Sequence, residues 1–253
     1  MARTFSHWIS GTAWLLVILF ATPSPAIAQE SCSAESPAHR TAVVELFTSE
    51  GCSSCPPADL WVLQQAEQTP STRVIYLSQH VPYWDYLGWQ DRFALSHSEQ
   101  RQRSLARSNS TSVYTPQFFV SGESPQRLGL NHLNKLIRNV QKKPSGVNLK
   151  LKKMGKKVKV IWQDSPSPDS RLILAITTRQ VSSRVTAGEN RGRELNHGQV
   201  IRWWQDQAIG QLGNNSYAFD LPRINDDGNG KIIVMMQKGK HILQALAIDR
   251  NCG

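Results

Sequence analysis

Apolar positions along the chain follow two regimes that change near residue 145. Ala42 to Thr48 is a β-rich apolar run halted by Ser49, Glu50 and Gly51, the pattern of a buried strand. A helical run from about Ala58 to Gln68 follows, and Arg73 to Ser78 is a second strand, so the three predict a βαβ unit with parallel strands. Phe93 to Ser108 reads as a polar, Arg-rich helix. Val113 to Val120 places Pro116 directly before a short apolar strand. Proline cannot donate to a ladder, so this is an edge or a cis bond. Ser121 to Ser124 is a turn, Arg127 to Leu130 a paired strand, and Asn131 caps a helix running to about Lys142. The predicted order over residues 40–143 is β-α-β-α-β-β-α.

Pro144-Ser145-Gly146 reads as a linker, and beyond it the helical signal fades. Val147 to Lys152 and Lys157 to Trp162 alternate around Met154-Gly155, as a hairpin with one lysine-rich face should. Leu172 to Gln180, Gln199 to Gln205, Ser216 to Leu221, Lys231 to Gln237 and His241 to Asp249 add further strands. Short strands separated by turn signals predict that residues 147–253 form a mostly antiparallel, sandwich-like β-rich domain. Asn225 to Gly230 resembles a calcium loop but lacks the closing glutamate, and reads as a turn.

The N-terminal segment stands apart. Arg3 and His7 lie in a short polar region, Trp14 to Phe20 form an apolar run too short for a comfortable membrane span, and Ala26-Ile27-Ala28 is a cleavage signal. Residues 1–28 are therefore expected to be a signal peptide, leaving a periplasmic or secreted protein without a stable membrane anchor. A retained N-terminal anchor is the alternative. The formal charge is +10, of which Arg3 alone falls in the leader, so the mature chain carries +9. Such a balance permits weak binding to anionic surfaces. Nucleic acid is not an expected partner, because no nucleic-acid motif, Walker loop or dinucleotide glycine pattern occurs. Neither a serine-hydrolase elbow nor an HExxH zinc motif offers a competing enzyme class.

Four cysteines remain in the mature chain: Cys32, Cys52, Cys55 and Cys252. In an oxidising compartment disulfides form and persist. Chain termini are often close together in compact domains, which favours Cys32–Cys252 with Cys52–Cys55 among the possible pairings. The long bridge would contribute about 4–5 kcal/mol at most through loop closure. Cys52 and Cys55 fall between a strand and a helix that opens with Pro56-Pro57. A thiolate at a helix N-terminus is stabilised by the macrodipole and the free N–H groups, which lowers its pKa to roughly 7 or below. Cys52 is thus expected to be the exposed attacking sulfur and Cys55 the resolving one. A structural disulfide or half of a metal site is the alternative. The aromatic segment from His80 to Asp91 leaves the second strand at the same sheet edge, so His80, Tyr83, Trp84, Asp85 and Trp89 are expected to wall the dithiol site.

The element order, the CxxC position and the Thr115-Pro116 step resemble the thioredoxin fold over roughly residues 40–143. That resemblance implies a cis-proline loop facing the dithiol, with Pro116 and Thr115 binding the partner's extended chain. Glu45 to Asp59, Tyr83 to Trp89, Val113 to Gln117 and Gly188 to Arg193 further resemble a secreted bacterial family called domain of unknown function 1223. The resemblance implies that Glu189, Asn190, Arg191, Arg193 and His197, in the polar loop from Ala187 to His197, dock against the dithiol unit, with a plain exposed hairpin tip as the alternative. Ser53-Ser54 departs from the Gly-Pro pair usual in thioredoxin, which leaves the redox direction open. Three function classes follow: an exported thiol–disulfide oxidoreductase, a copper(I) carrier using Cys52, Cys55 and a histidine such as His80, or a non-catalytic interaction protein on the same scaffold. The first acts on a protein or small-molecule thiol or disulfide, and needs neither cofactor nor resident metal.

Overall fold

The computed structural model describes residues 1–2, 32–125, 129–164, 166–212 and 214–252. The expected leader therefore lies, past its first two residues, outside the described residues. The first part contains β1 (Ser33–Glu35), β2 (Ala42–Thr48), α1 (Pro56–Gln68), β3 (Val74–His80), a 3₁₀ turn at Pro82–Leu87, α2 (Ser96–Ser108), β4 (Gln117–Val120) and α3 (Leu130–Gln141). β5 (Asn148–Met154), β6 (Lys157–Gln163), β7 (Arg171–Arg184), β8 (Glu194–Ala208), a 3₁₀ turn at Ile209–Gln211, β9 (Ser216–Asp220), β10 (Lys231–Lys238) and β11 (His241–Asp249) follow.

β2 and β3 are buried along their whole length and pair in parallel, as strands covered on both faces do. Helix α1 opens on Pro56 and Pro57, whose missing N–H groups would lack helical partners anyway. Helix α2 starts later than the polar pattern suggested, because the Leu95 N–H bonds the His80 carbonyl at 3.1 Å and holds the chain extended there. Helix α3 starts at Leu130, with Gly129 rather than Asn131 in the cap position. The strand expected over residues 127–130 falls outside the described residues except at its end, where Leu130 is helical.

Seven strands make one sheet in the order β11-β10-β7-β8-β3-β2-β4, and β1-β5-β6-β9 make a second, antiparallel one. The boundary expected at residues 144–146 divides the sequence but not the larger sheet, since β8 joins β3 where Ser78 faces Val200. Three apolar layers hold this together. Val44, Leu46 and Tyr76 pack under α1 and α3 with Val62, Leu133 and Ile137. Val43, Ile75 and Leu77 on the other strand face meet Ile173, Ile233 and Met235. Leu172, Leu174, Ile232 and Val234 then pack against Leu149, Leu151, Val160 and Trp162 of the small sheet. Cys32 and Cys252 are disulfide-bonded, Cα atoms 5.4 Å apart, joining the residue before β1 to the segment after β11.

Among the described residues no helix is long and apolar enough to cross a membrane. Helix α1 lies directly on β8. A Cβ at Gly198 would meet Leu63 Cα at 2.6 Å and Leu63 Cβ at 2.9 Å, so the residue must lack a side chain for the helix to seat. Gly198→Ala is expected to lower stability by about 1–3 kcal/mol, the usual cost of overfilling a packed contact. Urea denaturation measures this, and an unchanged midpoint would show that the helix seats elsewhere.

Candidate functional site

The end of β2 delivers the chain into a tight turn. Cys52 N–H donates to the Ser49 carbonyl at 3.1 Å and Cys55 N–H to the Cys52 carbonyl at 3.2 Å. Cys55 occupies the cap position of α1, its carbonyl accepting from Ala58 and Asp59 N–H at 2.9 and 3.2 Å. Cys52 and Cys55 form a disulfide with Cα atoms 5.5 Å apart, and Ser53 and Ser54 between them face solvent. The pairing register brings three strand ends together here: Thr48 lies opposite His80, and Phe47 opposite Gln117. Pro116, directly before Gln117, follows a cis peptide bond from Thr115. Trp84 spans the gap. Its Nε1 donates to Thr115 Oγ1 at 2.8 Å, and its Cβ sits 2.8 Å from where Gly51 would carry its own.

Cys52 is not the exposed sulfur the sequence suggested. The residue is only 1 % exposed and Cys55 is wholly buried. The loop between β7 and β8 is bonded to the backbone of this turn. Asn190, itself buried, donates through Nδ2 to the Glu50 carbonyl at 2.8 Å and to the Cys52 carbonyl at 3.0 Å. Glu189 Oε2 accepts the Ser53 N–H at 3.0 Å, and Arg193 Nη1 steadies Asn190 Oδ1 at 2.8 Å. Arg191 is exposed.

Beneath the turn lies a buried polar cluster drawn from five segments. His80 Nδ1 is 2.7 Å from Asp91 Oδ2, and that same oxygen accepts the Glu50 N–H at 2.9 Å. Thr48 Oγ1 donates to Asp59 Oδ2 at 2.9 Å, and Trp89 Nε1 to Glu50 Oε2 at 2.7 Å. His197 sits between the carboxylates, Nε2 3.4 Å from Glu50 Oε1 and Nδ1 3.5 Å from Asp59 Oδ1. Its ring stands edge-on to His80 with centroids 4.7 Å apart. Burial alone would lower the His197 pKa, but Asp59 and Glu50 outweigh it and push the imidazole up to about 9. Burial raises the Asp91 carboxyl, whereas His80 and the Glu50 and Phe93 N–H groups bring it below its ordinary value.

The aromatic segment is divided in its tasks. Trp84 touches the CxxC turn and Trp89 anchors Glu50, while Tyr83 donates to Gln102 at 3.3 Å and Asp85 accepts the Asp91 N–H at 3.2 Å. His80, expected to wall the dithiol site or to ligate copper, turns its ring to Asp91 and His197. Sequence reasoning gave no role to Glu50, Asp59 or Asp91. Their signal was an acidic residue beside each buried motif, one of them a helical turn beyond Cys55.

A disulfide at a strand-to-helix junction, covered by a hairpin and backed by buried histidines and carboxylates, defines the class of site. The chain belongs to the family described as protein of unknown function, DUF1223, which matches residues 43–237 and thus spans both sides of the 144–146 linker. It is also similar to the crystal structure of an Agrobacterium tumefaciens protein, with a TM-score of 0.64 and 24 % identity, covering 84 % of this chain and 96 % of that one. No curated protein matches it in sequence.

The His197 shift fixes a pH dependence. A base whose folded pKa lies above its ordinary 6.5 adds stability that is complete below pH 6.5 and is lost as pH rises to about 9. Oxidised protein in chelator-containing buffer should lose up to about 3 kcal/mol of unfolding free energy across that window. His197→Gln should abolish the slope. Urea denaturation from pH 6 to pH 9.5 checks both.

Proposed function

We propose that the chain is an exported thiol–disulfide oxidoreductase built on a thioredoxin-like unit, with its dithiol gated by the β7–β8 hairpin. The observation carrying this reading is the Cys52–Cys55 disulfide at the cap of α1 with the cis Thr115–Pro116 step tied to it through Trp84. Such a disulfide accepts two electrons and two protons. A partner thiolate attacks Cys52 Sγ, the Cys52–Cys55 bond breaks, and Cys55 leaves as a thiolate at the positive end of the α1 macrodipole. The partner's second thiolate then displaces Cys52, yielding the oxidised partner and a reduced dithiol; the reverse sequence reduces a partner. Pro116 and Thr115 would hold the partner's extended backbone. Residues 1–28 and two disulfides both favour the periplasm or the outside of the cell.

Burial of Cys52 demands that the cap move first. The Asn190 hydrogen bonds end on carbonyl oxygens, so lifting the tip exchanges them, and the Ser53 N–H bond to Glu189, for bonds to water. With two hydrogen bonds worth about 1 kcal/mol each, Asn190→Ala should speed reduction of Cys52–Cys55 by dithiothreitol roughly ten- to thirty-fold. Quenched alkylation followed by mass spectrometry reads this. For the reaction itself, Cys55→Ser expressed with its leader in the native envelope should carry mixed disulfides on Cys52 that collapse on reduction. A Cys52 found unmodified there would sink the reading.

A further inference from the structure

Five atoms in the cluster below the disulfide make no hydrogen bond of good geometry among the described residues: Glu50 Oε1, Asp59 Oδ1, His80 Nε2 and both ring nitrogens of His197, whose approaches to Glu50 and Asp59 are long at 3.4 and 3.5 Å. Their side chains are at most 1 % exposed. Buried polar atoms are paired in the great majority of cases, because each unmet one costs about 1–3 kcal/mol. Here each side chain except His197 is already clamped by its other end. Asp91 takes His80 Nδ1, Thr48 takes Asp59 Oδ2, and Trp89 takes Glu50 Oε2. The unpaired atoms are therefore fixed in direction, and the ligating atoms of Asp59, His80 and His197 lie within 4.8 Å of one another.

We infer that Asp59 Oδ1, His80 Nε2 and His197 Nδ1 form a buried binding site for a divalent cation of the zinc class. The histidine nitrogens are assigned by their neighbours. His197 Nδ1 is the nitrogen beside Asp59, which leaves Nε2–H to Glu50 Oε1, 3.4 Å away. His80 Nδ1–H goes to Asp91, which frees Nε2. Each ligating histidine thus has its own carboxylate orienter, the outer arrangement metal-bound imidazoles almost always show. Two imidazoles and a carboxylate suit zinc. Calcium and magnesium require more oxygen ligands, and copper(I) prefers sulfur. Bonds of about 2.0–2.1 Å place tetrahedral ligand atoms roughly 3.4 Å apart, so small side-chain rotations close the site and leave one position for water.

Charge points the same way. Glu50, Asp59 and Asp91 are buried together, and among the described residues no lysine or arginine bridges to any of them. Burying several carboxylates without compensation is costly. A dication offsets two of the charges, which the single proton of an imidazolium does not.

The test uses the full chain, oxidised and stripped with a chelator, then titrated with zinc sulfate by calorimetry and with cobalt(II) by absorption. One metal per chain, cobalt bands of a nitrogen–oxygen tetrahedral site without thiolate charge transfer, and a raised melting temperature with zinc are expected. His80→Gln and His197→Gln should abolish binding, and Asp91→Asn should weaken it about 10–100-fold. The Cys52→Ser, Cys55→Ser double variant should bind zinc as the wild type does, so this site stands or falls separately from the dithiol. Absence of zinc uptake by the wild type overturns the proposal. So does uptake that survives both histidine substitutions or vanishes with the cysteines. Should the histidine variants not fold, the wild-type cobalt spectrum decides.

Discussion

Helix α1 rests on the bare backbone of β8 at Gly198, and that seating organises everything around the disulfide. The residue before Gly198 is His197, which is thereby set between Glu50 and Asp59, the latter on α1 itself. Upstream, the same strand runs back into the hairpin whose tip covers Cys52. One close approach of helix and strand thus places both the roof of the disulfide and the central residue of the cluster beneath it. A side chain at position 198 would move α1, the helix whose N-terminus carries the dithiol.

The chain treats its buried carboxylates in two ways. Glu45 on β2 is as buried as Glu50, yet it is met by Arg101 at both oxygens and by Gln79 at 2.7 Å. That is a permanently charged, fork-shaped partner, suited to a structural pair. A few residues further on, Glu50, Asp59 and Asp91 meet histidines and neutral donors instead. Histidine changes its charge near neutral pH and binds metals through the same nitrogens. The contrast separates a fixed ion pair that fastens α2 to the sheet from a set of groups whose charge state can change.

Local pattern carried much of the fold and little of the site. The apolar run from Ala42 to Thr48 is β2 residue for residue, and the alternation around Gly155 is the β5–β6 hairpin. These are local periodicities, which one stretch of sequence displays in full. The start of β8 was hidden because Glu194 to His197 look like loop residues, yet they pair with Val181 to Arg184 at the rim of a long hairpin. The burial of Cys52 was hidden for a related reason. The turn on its own predicts an exposed sulfur, and its cover arrives from Asn190, far along the chain. The cluster was illegible as a unit because its five members come from five segments, each with an ordinary local reason to be polar.

The roof and the cluster are mechanically one piece. Asn190 and His197 sit on a single hairpin whose strands are held in register, Val181 opposite His197 and Arg184 opposite Glu194. In the proposed reaction, lifting the tip to admit a partner to Cys52 works against the segment that carries His197. The contacts that hold His197 between Glu50 and Asp59 thus anchor one arm of the same hairpin. In the proposed reaction the α1 macrodipole stabilises a Cys55 thiolate independently of the roof, since it belongs to α1 alone. Under the proposed function, opening would govern whether Cys52 is reached, and α1 how readily Cys55 leaves.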